Sequence, residues 1–476
     1  MKRSICVGVV WMALVGTAFG QRAASFSKAV KDFVVLDAPV IALTHVRVMD
    51  GTGAPAMDDQ TVIIQNGRIR SIGPAGQIAA PQEAVIKDFP GHTVIPGLVG
   101  MHDHLFYPAG QGHYNDLAIS APRLYLAGGV TTIRTTGSIE PYTDLNLKKL
   151  IDAGKMAGPD IYVTGPYLEG PGSFTPQTHE LTGPDDARKL VEYWAGEGVT
   201  SFKAYMNITQ AELKAAIEAA HARGIKVTGH LCSIGFREAA LLGIDDLEHG
   251  LVVDTEFDPN KKPDFCPPQQ ETATTLEKLD IEGEPVQETI RDLVKHGVAV
   301  TSTLPVFETF VPNRPPLDAR ALAVMLPQTR IDYLSTRARL GAAPASSRSA
   351  GLRKEMQFER DFVKAGGLLL AGLDPTGYGG VVPGFGDQRE VELLVEAGFS
   401  PAEAIHIASF NGAQFLGESN QIGSLAVGKK ADLVVLHGDP SKSISDIEKV
   451  VWVFKDGIAY DSAKLIESAR DSVGLH

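Results

Sequence analysis

The chain predicts an α/β fold: a (β/α)8 (TIM) barrel carrying a small β-sandwich domain built from both chain ends. Two observations predict it. Across residues 97–417, strand-like segments alternate with helical ones, and eight strand-like segments can be counted. Across 38–96 and 418–466 the texture changes to short alternating strands separated by turns. Alternating β and α segments bury a parallel sheet under an outer layer of helices.

In the flanks, VIALTHVRVMDGTG, TVIIQNGRIRSIG and AVIKDFPGHTVIPG place apolar residues at every second position, punctuated by Asp-Gly, Asn-Gly and Pro-Gly. That pattern marks half-buried strands joined by tight turns. It returns in GSLAVGKKADLVVLHGD and KVVWVFKDGIAYD. The strands of the middle region are expected at 97–105, 129–137, 160–170, 198–206, 225–231, 244–250, 298–304 and 366–374. TQAELKAAIEAAHARG (209–224) and PVQETIRDLVKHG (285–297) show the helical spacing expected between them. The stretch 254–284, rich in Pro, Asp and Glu, reads as an inserted loop or lid.

Composition narrows the function. The chain has 476 residues, is 44% hydrophobic and 21% charged, and carries a net charge of −13 with no basic run beyond its first residues. Binding a nucleic-acid backbone calls for clustered Lys and Arg, so that class is excluded. Lys2 and Arg3 precede an apolar stretch from Ile5 to Ala18, and Ala18-Phe19-Gly20 follows with small residues. This reads as a cleavable signal peptide over 1–20, hence a periplasmic or secreted protein, with a retained anchor as the alternative. Removal of Cys6 with that segment leaves Cys232 and Cys266, which either pair or stay as two buried thiols. Self-association into a homo-oligomer is left open.

In a fold of this class the chemistry sits at the C-terminal ends of the strands. Strand one ends in His102-Asp103-His104, strand four carries Lys203, strand five ends in His230, strand six in His249 and strand eight in Asp374. Neutral imidazoles and carboxylates suit Zn²⁺ or similar divalent ions. A lysine joins such a set only if its charge is removed, as carbamylation by CO₂ does. Each residue taken alone has an ordinary alternative: a hydrogen-bonded loop histidine, a snorkelling lysine, an aspartate starting a turn before Pro375. Their joint placement at one end of five strands argues against those alternatives. Strand alternation turns Asp103 away from the others, which gives it a structural role. His221, His296 and His406 fall within or at the ends of helices and read as surface or packing residues. His179, in the Gly/Pro-rich loop after strand three, is a further site candidate.

PGLVGMHDHL, SFKAYM, TGHL, LEHG and AGLDPTG, followed by NGAQFLG and GSLAVGKKADLVVL, resemble the amidohydrolase superfamily, in particular its imidazolonepropionase-like and prolidase-like (Xaa-Pro dipeptidase type) metal-dependent hydrolases. The resemblance implies that His102, His104 and Asp374 bind a more buried metal, that His230 and His249 bind a second, and that N6-carboxylated Lys203 bridges them. It departs from the family at Gly372-Leu373-Asp374, where GLD stands in place of GTD. Glu169, in YLEGPG, resembles the metal-binding glutamate of acetylglucosamine-6-phosphate deacetylases and competes with Lys203 for the ligand role.

Such a centre holds a hydroxide between two cations as the nucleophile, with Asp374 moving its proton to the leaving nitrogen. The resemblance implies a small amide as substrate, either a dipeptide or an N-acyl amino acid. Tyr205 and Arg134 are then candidates to hold its carboxylate. A cyclic amidohydrolase of the hydantoinase or imidazolonepropionase kind is the alternative enzyme, and a non-catalytic barrel binding module is the alternative class.

Overall fold

The structure is a computed structural model that describes residues 22–110, 112–342 and 347–474. The stretch read as a signal peptide lies outside the described residues. Among the described residues, no helix is long and apolar enough to cross a membrane.

Both chain ends contribute to one mixed nine-stranded sheet. Its continuous order runs Val34–Leu36, Ile458–Asp461, Val450–Lys455, Leu433–His437, His92–Pro96, Val40–Val48, Met57–Gln65, Arg68–Pro74, and Val85–Asp88 also pairs with Val40–Val48. The two ends meet where Leu433, Val434 and Val435 run antiparallel to Pro96, Ile95 and Val94. Ile41, Leu43, Val62, Val94, Leu433, Val435 and Phe454 form the sheet's own buried core. The sequence expectation of a sandwich becomes here a single hydrogen-bonded sheet, because alternation specifies which face of a strand is buried but not how many layers bury it. The Asn-Gly and Asp-Gly signals make the hairpin turns expected of them: Asn66-Gly67 and Asp456-Gly457 all have positive φ. These two turns pack against each other, and a Cβ on Gly457 would lie 2.6 Å from the Cα of Gly67.

The middle of the chain has a TIM-barrel-type arrangement. Eight parallel strands form two arcs. The first holds β1 (Leu98–Asp103), β2 (Val130–Thr135) and β3 (Asp160–Tyr162); the second holds β4 (Ser201–Ala204), β5 (Lys226–Gly229), β6 (Asp246–Glu248), β7 (Ala299–Ser302) and β8 (Leu369–Ala371). At one seam the chain beyond β3 meets β4 through isolated bridges, with Gly165 N–H donating to Ser201 O and Leu168 N–H to Lys203 O. Pro166 interrupts the ladder there because it has no N–H. At the other seam Asp374 N–H donates to His102 O at 3.0 Å. Gly372 makes this approach possible: a Cβ there would fall 2.5 Å from the His102 backbone nitrogen.

The insertion at 254–284 contains the helix Gln269–Lys278, which buries none of its residues. It is tethered by a disulfide between Cys232, just beyond β5, and Cys266. Of the two states the sequence left open, the structure has the paired one.

Asp103 is fully buried and turned toward Asp387 of the helix Phe385–Ala397, in the structural role expected of it. Glu390 of that helix and Glu359 of the helix Ser347–Lys364 are sealed in with it. Burial pushes the Glu359 carboxyl up to about 8, with Ser302 beside it opposing the rise, and pushes that of Asp387 to about 7.

Two outcomes are expected. A carboxyl whose folded pKa is raised keeps its proton in the folded state only, so its contribution falls as pH climbs from its unfolded value through its folded one. Glu359→Gln is therefore expected to melt above the parent protein at pH 8 and to converge with it toward pH 5, as scanning calorimetry would show. Replacing Cys232 and Cys266 with Ala opens a loop of sequence separation 34, and the expected loss of about 2–4 kcal/mol is read from the denaturant midpoint.

Candidate metal centre

The strand ends bring His102, His104, Lys203, His230, His249 and Asp374 to one pocket. Ligand atoms of His102, His249 and Asp374 all lie within 4.8 Å of one another. Asp374 Oδ1 stands 3.9 Å from His102 Nε2 and 3.7 Å from His104 Nε2, and its Oδ2 stands 3.8 Å from His249 Nε2. The His230 ring lies 4.4 Å from the His249 ring, and Lys203 Nζ donates to His102 Nε2 at 3.1 Å. Two residues reach inward because their backbone is left-handed: His249 has φ 71° and Asp374 φ 50°. Both follow the end of a strand, where such a conformation redirects a side chain that pleat alternation would send elsewhere.

The supports around these groups fix their tautomers. His102 Nδ1 donates to Glu248 Oε2 at 2.8 Å, and His104 Nδ1 donates to Gly137 O at 3.1 Å. Each ring therefore presents the Nε2 lone pair to the pocket, the arrangement metal-binding histidines adopt. His249 Nδ1 pairs with Thr303 Oγ1 at 2.7 Å, while its Nε2 is buried without a partner, as is Asp374 Oδ1. A buried polar atom without a partner is costly, so two such atoms facing one point fit a cation between them.

Electrostatics agree with that fit. Burial, with Lys203 adding to it, holds His102 and His104 well below the usual imidazole range and His230 at about 3. Burial and the neighbouring rings of His102 and His230 do the same for His249. The imidazoles are thus neutral, as ligands must be. Burial also brings Lys203 down to about 8 and lifts Asp374 to about 6.

Of the residues assigned from sequence to substrate, Tyr205 lines the pocket, with its ring 5.1 Å from that of His230. Arg134 does not serve as a carboxylate clamp: it is 1% exposed and committed to Met101 O, to Asp246 Oδ2 at 3.1 Å and to Glu248 Oε1 at 2.9 Å. A charged residue in a core strand needs buried partners, and β6 supplies them. His179 is exposed and bound to Asp186 at 3.0 Å, outside the pocket lining. Its Gly-rich loop directs it to the surface. Glu169 is also outside that lining; its Oε1 accepts from the backbone N–H groups of Gly170 and Asn207, so it ties two loops together. His221, His296 and His406 are engaged with Asp245, Asp292 O and Gly51 O.

Glu248 was not singled out from the sequence. The available signal was an acid beside His249 in a buried strand, with a cation, Arg134, in another strand of the same body. Tyr114 and Tyr167 were missed as well. Tyr114 stands on His113–Asp116, which pairs with Phe106–Gly110 in a hairpin that follows β1, and the alternation of strands and helices gave no sign of it.

Comparison with known proteins places this geometry in context. Residues 93–459 match the model of the amidohydrolase family, and the chain belongs to that family. Its members are generally metal-dependent. A putative prolidase from Bifidobacterium longum is 27% identical, with a TM-score of 0.63 over 90% of this chain and 98% of that one. A Xaa-Pro dipeptidase crystallised with methionine in its active site shares the fold at 20% identity and a TM-score of 0.65, over 89% of this chain and 100% of that one. Adenine deaminase 2 of Bradyrhizobium sp. (strain ORS 278) is 25% identical over 409 residues, covering 84% of this chain and 55% of the deaminase. The chain spans about half the length of several curated relatives that it matches.

Glu248→Gln is expected to weaken metal binding by about 10–100-fold without displacing any ligand, because it loosens the tautomer and orientation of His102. Competition with a chelator, followed by elemental analysis, measures this.

Proposed function

We propose that this protein is a binuclear hydrolase of small amides, cleaving a dipeptide or an N-acyl amino acid. The observation that carries the reading is the convergence of His102, His249 and Asp374 within 4.8 Å, with Lys203 donating to His102 beside them. His102, His104 and Asp374 would hold one divalent ion, with Zn²⁺ best suited to the donors, and His230 and His249 the second. Lys203 would bridge the two as its carbamate. Its lowered pKa supports this, since only the neutral amine adds CO₂ and a group near 8 supplies that form at neutral pH. When bound, such ions lower the pKa of water toward 7 and polarise the amide carbonyl.

The remaining chemistry belongs to side chains. Asp374 takes the proton of the attacking water and delivers it to the leaving nitrogen as the C–N bond breaks, giving an acid and an amine. Its raised pKa suits a group that must both accept and release a proton. Glu248 keeps the His102 lone pair aimed at the pocket. Opening of a cyclic amide is the second reading, favoured by the likeness of part of the chain to dihydroorotases. Export to an oxidising compartment is part of the proposal, supported by the apolar N-terminal segment and by the Cys232–Cys266 disulfide.

The zinc-loaded protein is expected to release amino acid from a panel of Xaa-Pro dipeptides and N-acyl amino acids. A flat panel beside turnover of hydantoins would move the assignment to the cyclic reading. Asp374→Asn is expected to keep most of its metal by elemental analysis and to lose at least about 100-fold in kcat; normal turnover would remove Asp374 from the proton-transfer role.

A further inference from the structure

The pocket is walled by aromatic rings and has little charge of its own. Beside the proposed ligands it is lined by Tyr114, Ile139, Tyr167, Phe174, Thr175, Tyr205 and Thr376. Lys203 is the one Lys or Arg among these described lining residues, and the proposed function assigns it to the metals. Arg134 is committed to Glu248 and Asp246. No guanidinium or free ammonium in that lining is left to pair with a substrate carboxylate.

Three phenols stand there instead, each from a different connection. Tyr114 comes from the hairpin after β1, Tyr167 from the chain beyond β3, and Tyr205 from the residue just past β4. The Tyr167 and Tyr205 rings are 4.7 Å apart, and Tyr114 packs on Phe106 at 4.9 Å. Tyr167 is 7% exposed, and its ring fills the space a side chain at residue 137 would need: a Cβ on Gly137, which has φ +89°, would lie 2.5 Å from it. The hydroxyls of these three tyrosines have no hydrogen-bond partner among the described residues. Four other tyrosine hydroxyls are engaged: Tyr107 accepts from Gly380 N, Tyr333 accepts from Leu317 N, Tyr125 donates to His104 O and Tyr378 donates to Thr309 O. Hydroxyls without protein partners at the lining of a pocket are donors that a ligand can use.

We propose that Tyr114, Tyr167 and Tyr205 form an uncharged clamp for the oxygen atoms of the substrate, so that the free acid and the uncharged carboxamide of one amino-acid derivative are accepted alike. The proposal rests on the amide-hydrolase reading above and adds the substrate class: N-acyl derivatives of apolar amino acids, with the carboxylate optional. A guanidinium clamp makes charge-assisted bonds that a carboxamide cannot reproduce, whereas a phenol stays neutral at pH 7 and donates to either oxygen. Phe174 and Ile139 in the lining favour an apolar or aromatic side chain on the substrate.

The test compares N-acetylphenylalanine with N-acetylphenylalaninamide on the zinc-loaded protein, reading release of acetate. The expected kcat/KM values agree within about tenfold; a preference for the acid above about 100-fold overturns the clamp. Tyr114→Phe and Tyr167→Phe are each expected to lower kcat/KM about tenfold on both compounds, through KM, with metal content and melting temperature unchanged. A fall in melting temperature with KM unchanged would make these residues packing elements and overturn the proposal. If neither compound is hydrolysed, the amide reading fails separately, and the clamp is then read from binding. Equal thermal shifts by the two compounds, lost in Tyr114→Phe, support it, and a shift by the acid alone or by neither overturns it.

Discussion

A guanidinium buried among strands is the constraint to which the centre of this protein answers. Arg134 has almost no contact with water, and an unpaired charge in that position would cost several kcal/mol. Its partners are therefore obligatory. Asp246 and Glu248, two residues apart on one strand and so on one face, both reach it. Glu248 then has a second oxygen to offer, and His102 takes it. The ring fixed in this way accepts from Lys203. A chain of four side chains from four strands thus runs from a structural cation to the pocket, and within it Glu248 fixes the tautomer of His102. The charge of Arg134 also helps keep Glu248 ionised: the guanidinium holds that carboxyl below its ordinary range even though it is fully buried.

The convergence of these side chains was legible in the sequence because its signal is positional. Histidines, a lysine and an aspartate at strand ends need only the strand count and the alternation to be brought together, and HDH, SFKAY, TGHL, LEHG and AGLD each ended a recognisable strand. The role of Arg134 was not legible in the same way. An arginine on an inner strand reads equally as a substrate clamp or as a buried ion-pair partner until the register between strands is known. His179 failed for a related reason: the direction of a loop with several glycines depends on what the loop packs against. Lys203 and Glu169 had competing claims from the sequence; Lys203 lines the pocket, while Glu169 turns to the backbone of Asn207.

The fold divides similarly. Turn chemistry was readable to the residue at Asn66-Gly67 and Asp456-Gly457, where a positive φ leaves few choices of side chain. Layering was not, because a half-buried strand looks the same in a sandwich and in a sheet that wraps its own core. The cysteines gave two alternatives from their number and the expected export, and their proximity in the fold decided between them. The tyrosine hydroxyls at the pocket lie beyond what pattern can reveal, since their significance comes from the partners they lack.

The strand pairing between the chain ends has a consequence for how the molecule comes into being. Thr93 Oγ1 donates to Gly438 O across 345 residues, and His92–Pro96 gains its neighbour on that side only when Leu433–His437 has been made. A chain that emerges from its amino terminus therefore carries, through most of its synthesis, a set of hydrophobic strands with an open edge. Such an edge is a template for pairing with other chains. The closure entropy of so long a loop grows only logarithmically with length, so the finished sheet loses little by it; the exposure falls on the nascent chain. The eight-stranded body has sequence-local contacts and can form while the terminal strands wait. The terminal sheet can be completed only after Leu433–His437 has been made, and until then its open edge is the part of this protein most in need of protection from its own copies.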